Sequence, residues 1–231
     1  MASPSVRSYV ARDQAAVLDL IAADRLLGQP ETTAAMLAEA LAGRSPVDGG
    51  WWAELDPSTT DVIVSGDDQA VGAVSYATRP HDGAGIILWL HCREDEALAN
   101  ALVSHALDQL GPRTVHAFEF ASALTLGLEG LPSKARSTTR RVLEQAGFVG
   151  RDLWRYMHIN LPSAGLPRAA HVTVEESDDP PATDWKSTRT ENWSLTRPSV
   201  ALLPGSACCG GSASPHPHGS WLGAGCAGFR P

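Results

Sequence analysis

Three consecutive carboxylates, Glu94-Asp95-Glu96, occupy the turn between an apolar run and an amphipathic one. A strand feeding a helix N-terminus is a place to hold a phosphorylated cofactor, because free backbone N–H groups converge there. A pyrophosphate would want glycines and positive charge at such a turn, and this one offers acids. Two anions about 5 Å apart repel by roughly 1–3 kcal/mol between the dielectric of water and that of a protein surface. Acids also suit the positive end of a helix dipole. The three carboxylates therefore read as helix capping rather than as a metal site.

The other groups that could do chemistry are few. His91 and Cys92 adjoin the turn. A lone His-Cys pair reads as structural rather than as a metal pair or a catalytic dyad. Glu119 could serve as a base toward a substrate, but its alternation with Phe118 and Phe120 reads as a solvent-facing strand residue. Lys134, Arg136, Arg140 and Arg141 form a basic cluster, which reads as a solvated helix face and alternatively as a phosphate contact. Trp51-Trp52 could line a pocket or simply pack. Neither a Ser/His/Asp triad, a phosphate-binding glycine loop nor a Cys-x-x-Cys pair is present.

These residues need elements to position them. The run Gly85 to His91 predicts a strand, and apolar residues at Ala97, Leu98, Ala101, Leu102, His105-Ala106 and Leu110 predict a helix. Upstream, Val6 to Val10 reads as a strand. Asp13 reads as the N-cap of a helix through Leu27, and Thr32 to Ala42 as a second helix. Asp61 to Ser65 and Ala70 to Ala77 flank Gly66-Asp67-Asp68, a hairpin signal. Downstream come a strand over Thr114 to Phe120, a helix over Ser137 to Ala146 closed by Gly147, and a strand over Arg151 to Leu161. This order predicts an α/β fold, a mixed β-sheet flanked by helices.

Composition narrows the function classes. The chain has 231 residues, 43% of them hydrophobic, enough for a core. A net charge of −8 argues against a nucleic-acid partner. The first residues lack the apolar stretch of a signal peptide, and no run of about 20 apolar residues suggests a membrane span. Of the cysteines Cys92, Cys208, Cys209 and Cys226, only the first lies in the patterned region. A reducing, cytoplasmic setting is the expectation.

The element order, ending in Ala146-Gly147-Phe148 before a last strand, resembles the GNAT superfamily of N-acetyltransferases over Val6 to Leu161. The family's Asn-x-x-Ala-Arg-Arg-Leu-Tyr-Glu-x-x-Gly-Phe run is matched at Arg140, Arg141, Glu144, Gly147 and Phe148. Arg136 stands at the asparagine position. Leu143 stands at the tyrosine position, where the family commonly places the general acid toward the CoA thiolate, and leucine cannot donate a proton. The family's Arg/Gln-x-x-Gly-x-Gly/Ala loop falls with its small positions on Ala97 and Ala99 and its basic positions on Glu94 and Glu96.

The resemblance implies acetyl-CoA as co-substrate and a primary amine as acceptor. The backbone of Leu90 and His91 would orient the thioester, and the helix start at Ala97, Leu98, Ala99 and Asn100 would hold the pyrophosphate. With the loop and the tyrosine both altered, the expected transfer is weak or lost. The alternative is a non-catalytic scaffold or ligand-binding domain. The sequence assigns no catalytic residue, and no metal is expected.

Residues 162–181 read as a linker and the first strand of a second such domain, in the manner of a tandem GNAT protein. Residues 182–231 read as irregular: from Pro198 to Phe229 there is no Asp, Glu, Lys or Arg, and no periodicity. With G+C-rich codons, shifted reading frames turn Trp185 to Pro215 into a hairpin and apolar strand, and His218 to Pro231 into a glycine loop. A truncated, frame-shifted second domain is the expectation. Single-base insertions or deletions near Ala182 and His218 in the gene are its test.

Overall fold

The computed structural model describes residues 5–26, 29–125, 129–158 and 186–196. The chain divides into two units, Met1–Ser199 and Val200–Pro231, and every described residue belongs to the first. The shifted-frame reading of the tail falls outside the described residues except at 186–196.

The strand β1 (Ser5–Ser8) leads through a short 3-10 turn into α1 (Gln14–Ala23). Asp13 occupies the N-cap position, yet its side chain makes no cap bond there. It is buried and bound instead to the Arg7 guanidinium at 2.7 and 2.8 Å and to the Val10 N–H at 2.9 Å. A neighbouring cation outcompetes a helix amide for this carboxylate. α2 (Ala34–Leu41) begins where the Thr33 hydroxyl accepts from the Met36 N–H at 3.2 Å. A single turn, α3 (Gly49–Trp52), precedes the hairpin of β2 (Thr59–Val64) and β3 (Ala70–Arg79). The expected tight turn is present, with Asp68 N–H donating to Ser65 O at 2.9 Å.

β4 (Ala84–His91) runs into α4 (Glu96–Leu110), followed by β5 (Val115–Ala117), β6 (Leu131–Pro132), α5 (Ser137–Gln145), β7 (Val149–His158) and β8 (Lys186–Leu195). Gly147 closes α5 with a φ of 90°, a conformation glycine adopts without steric cost. The strands form one sheet in the order β1-β2-β3-β4-β5-β8, with β6 and β7 both paired to β8. Every pairing is antiparallel except β4 with β5.

Within the stretch expected to be irregular, the ten residues Lys186–Leu195 form a strand of this sheet. The run Lys186 to Leu195 holds only two large apolar residues, Trp193 and Leu195, too few to show an alternation. Its strand conformation comes from pairing on both sides, with β5 and with β7.

Both faces of the sheet are covered. Leu102 and Leu107 of α4 and Leu143 of α5 pack with Val74, Ile87 and Leu90. Val17 and Leu20 of α1 and Leu37 of α2 pack with Val62, Ile86 and Trp89 in a separate cluster. Fully burying one such side chain contributes about 1.5–3 kcal/mol, so the helices are held by these stripes rather than by propensity. No helix among the described residues is long and apolar enough to cross a membrane.

Candidate functional site

The sheet opens at its one parallel pair. β5 stops after Ala117, short of the predicted Phe120, because Phe118 takes a φ of 59° while its N–H still donates to Ile87 O at 2.9 Å. In β4 the register shifts between Trp89 and Ile87 opposite Ser75 and Tyr76, which makes Leu88 a bulge. Bulges recur beside functional sites because they redirect the strand. The two strands diverge around a cavity of about 40 Å³ lined by Trp89, Leu90, His91, Phe118, Phe120 and Arg136, among others. The indole Nε1 of Trp89 is buried with no partner among the described residues.

Beside this cavity lies a buried ionic network. Arg136, whose side chain is 5% exposed, donates from Nε to Glu94 Oε1 at 2.7 Å and from Nη2 to Leu90 O at 2.9 Å. Its Nη2 also lies 3.3 Å from the carboxylate of Asp24, which is 1% exposed. Asp24 follows α1 as its C-cap and accepts from the Cys92 N–H at 3.1 Å, with His91 Nδ1 also at 3.1 Å. Glu94 reaches α5, where Oε2 accepts from the N–H groups of Thr138 at 2.7 Å and Thr139 at 3.2 Å, and Oε1 from the Thr139 hydroxyl. Backbone φ values of 54° at Arg93 and 55° at Glu94 turn the loop so that this carboxylate points inward.

The protonation states follow from the surroundings. Burial alone would raise the Asp24 carboxyl, but the His91 hydrogen bond, the Arg136 charge and the Cys92 N–H outweigh it and hold the group below the usual carboxylate range. Burial pushes the His91 imidazole down, against the pull of Asp24. A neutral His91 therefore donates from Nδ1 to an ionised Asp24. Burial also pushes the Cys92 thiol up to about 11, so it is not a nucleophile at neutral pH.

These shifts predict an acid-sensitive fold. The Asp24 pKa is lower in the folded chain, so its contribution is complete above the unfolded value of about 3.9 and fades as pH falls through the folded one. The His91 pKa is also lower in the folded chain. Below about 6.5 the unfolded chain takes up a proton that the folded chain resists, and stability falls there too. Urea midpoints against pH are expected to decline first below about 6.5 and more steeply below about 4. The His91→Gln variant keeps a donor for Asp24 without titrating, and should lose most of the upper decline.

The residues implied as cofactor contacts are placed as follows. Leu90 is buried in the core, and its carbonyl is taken by Arg136. His91 is taken by Asp24. The Leu98 N–H donates to Asp95 Oδ1 at 2.9 Å, and the Ala99 N–H to Asp95 O within the helix. Ala97 and Asn100 are exposed, and the Asn100 amide donates to Glu96 O at 2.9 Å. Asp95 thus caps α4 as expected, whereas Glu94 caps α5. Sequence spacing carries no signal for a cap on a helix more than 40 residues away.

Most of the remaining candidates are also engaged, while Lys134 is exposed. Leu143 is buried in the core. Glu119 is half-buried, lies past the end of β5 and pairs with Arg79 at 3.2 Å, so it is not the solvent-facing strand residue that alternation suggested. Arg141 pairs with Glu96 at 2.8 Å, and Arg140 with Glu144 at 3.2 Å and Glu191 at 3.4 Å, above the Trp193 ring. Trp52 is core, its Nε1 donating to Ala121 O at 3.1 Å, while exposed Trp51 stacks on Phe120 at 6.1 Å. Among the described residues no group of His, Cys, Asp and Glu could hold a metal ion.

The topology has a counterpart among solved structures. The chain matches a GNAT superfamily phosphinothricin acetyltransferase from Sinorhizobium meliloti, determined in complex with AcCoA, at a TM-score of 0.50 and 11% identity, covering 88% of this chain and 97% of that one. The fold is that of the GNAT acetyltransferases. The ribosomal-protein-S18-alanine N-acetyltransferase from Escherichia coli matches at the same TM-score of 0.50, with 10% identity over 87% of this chain and 99% of that one. No protein-family model and no curated protein sequence matches the chain.

At these identities the likeness concerns the fold, and the chemistry must come from the site. A GNAT fold implies acetyl-CoA, and the residues present do not suit it. The loop is acidic, Asp95 occupies a helix amide that a phosphate would need, and the space between β4 and β5 has room for only a few waters.

Proposed function

We propose that this chain is a GNAT-type N-acetyltransferase domain in which transfer from acetyl-CoA to a primary amine is weak or lost, leaving a scaffold or ligand-binding domain. The observation that carries this reading is the Glu94 carboxylate bound to Arg136 and to two amides of α5. The loop residue aligned with a basic position of the family has become an internal anion. It fills donors inside the protein and adds negative charge where the pyrophosphate would approach. The core position of Leu143 removes the general acid as well.

Calorimetric titration of the full chain with acetyl-CoA tests the reading. No saturable binding is expected up to about 1 mM, an affinity weaker than about 4 kcal/mol. Micromolar binding, or release of free CoA in the presence of a primary amine, would overturn it.

A further inference from the structure

We propose that a second cavity, bounded by α1, the start of β3 and the β4–α4 turn, binds a zwitterionic apolar amino acid. The cavity measures about 410 Å³, within the range of small-molecule sites. It lies just beyond the carboxyl end of β4, beside the start of the antiparallel neighbour β3.

Its lining carries three kinds of chemistry. Val71 and Leu98, both partly buried, supply aliphatic surface beside the buried Leu20. The lining includes Asp95, which already accepts from the Leu98 N–H; Arg93 supplies a guanidinium, and Asp19 a carboxylate at the same cavity. Neither side chain has an ion pair or hydrogen bond among the described residues. The φ of 55° at Glu94 is accounted for by its contacts at α5, whereas the exposed Arg93 holds a φ of 54° with no side-chain hydrogen bond or ion pair among the described residues. A non-glycine residue in that region costs of order 1–3 kcal/mol, and such outliers gather at ligand sites. The raised Cys92 thiol beneath the cavity leaves no covalent chemistry. A ligand with a carboxylate for Arg93, an ammonium for Asp19 and an aliphatic body for Val71 and Leu98 matches all three. The proposal stands whether or not acetyl-CoA binds.

The test uses leucine, 4-methylpentanoate (no ammonium) and leucinamide (no carboxylate), titrated calorimetrically into the full chain. Leucine should bind, and each analogue at least about tenfold more weakly, the loss of one charge-assisted contact. The Arg93→Gln variant should bind leucine and leucinamide alike, and Asp19→Asn should bind leucine and 4-methylpentanoate alike. Both residues are exposed, and circular dichroism checks that both variants keep the fold. Absence of leucine binding up to about 20 mM, or affinities that neither variant changes by more than about twofold, would overturn the proposal.

Discussion

Replacing Arg136 with methionine is expected to destabilise the protein by about 3–5 kcal/mol, the largest effect of any single substitution proposed for this chain. Methionine fills much of the same volume, so the loss is not one of packing. It comes from Asp24, which is 1% exposed, and from Glu94, which would both be left without their cation. The Leu90 carbonyl would lose its donor as well. Urea unfolding followed by fluorescence measures the change. The pair of variants Arg136→Met and Arg136→Met with Glu94→Gln separates the causes. Neutralising Glu94 should recover part of the loss, because a buried charge without a partner costs more than a buried amide. A loss below about 1 kcal/mol would mean that water reaches the network and that the buried ion cluster is not what holds α5 against β4.

The second large effect concerns β8. A chain ending at residue 185 should lose its cooperative unfolding transition, whereas a chain ending at residue 199 should keep it. Without Lys186–Leu195, β5 retains a partner on one side only and β7 loses its partner. Trp193, 3% exposed against the α4 side of the sheet, would leave the core. Gly130 also points to a fitted contact: a Cβ there would come within 2.9 Å of the Glu191 backbone N, at a φ of 76°. Exposed strand edges and a vacated core together exceed the marginal stability of an ordinary domain. Near-UV circular dichroism and thermal melts of the two chains give the comparison. Equal melting temperatures would show that the sheet closes without β8.

Local pattern determined much of this protein. The 3.6-residue spacing from Ala97 to Leu110 gave α4, the Gly66-Asp67-Asp68 turn gave the β2–β3 hairpin, and Gly147 marked the end of α5. These signals are legible because each depends on residues within a turn or two of one another. From them, and from the Arg140 to Phe148 run, the mixed sheet flanked by helices and its GNAT likeness were within reach. The acidic loop and Leu143 already argued against acetyl transfer, since charge and the absence of a proton donor need no coordinates.

Only the tertiary structure decided what Glu94 does. Its partners Arg136 and Thr139 lie 42 and 45 residues along the chain, and they meet it because two left-handed residues turn the loop toward α5. Arg136 read as part of a solvated basic face and is instead buried between two acids, since burial depends on which helix packs above the strand. The same holds for β8, a polar segment that becomes strand by pairing on both edges rather than by its own alternation. Charges and hydrogen-bonding groups carry no periodicity that fixes a partner; the fold brings them together, and the low dielectric around them then sets how strongly they hold.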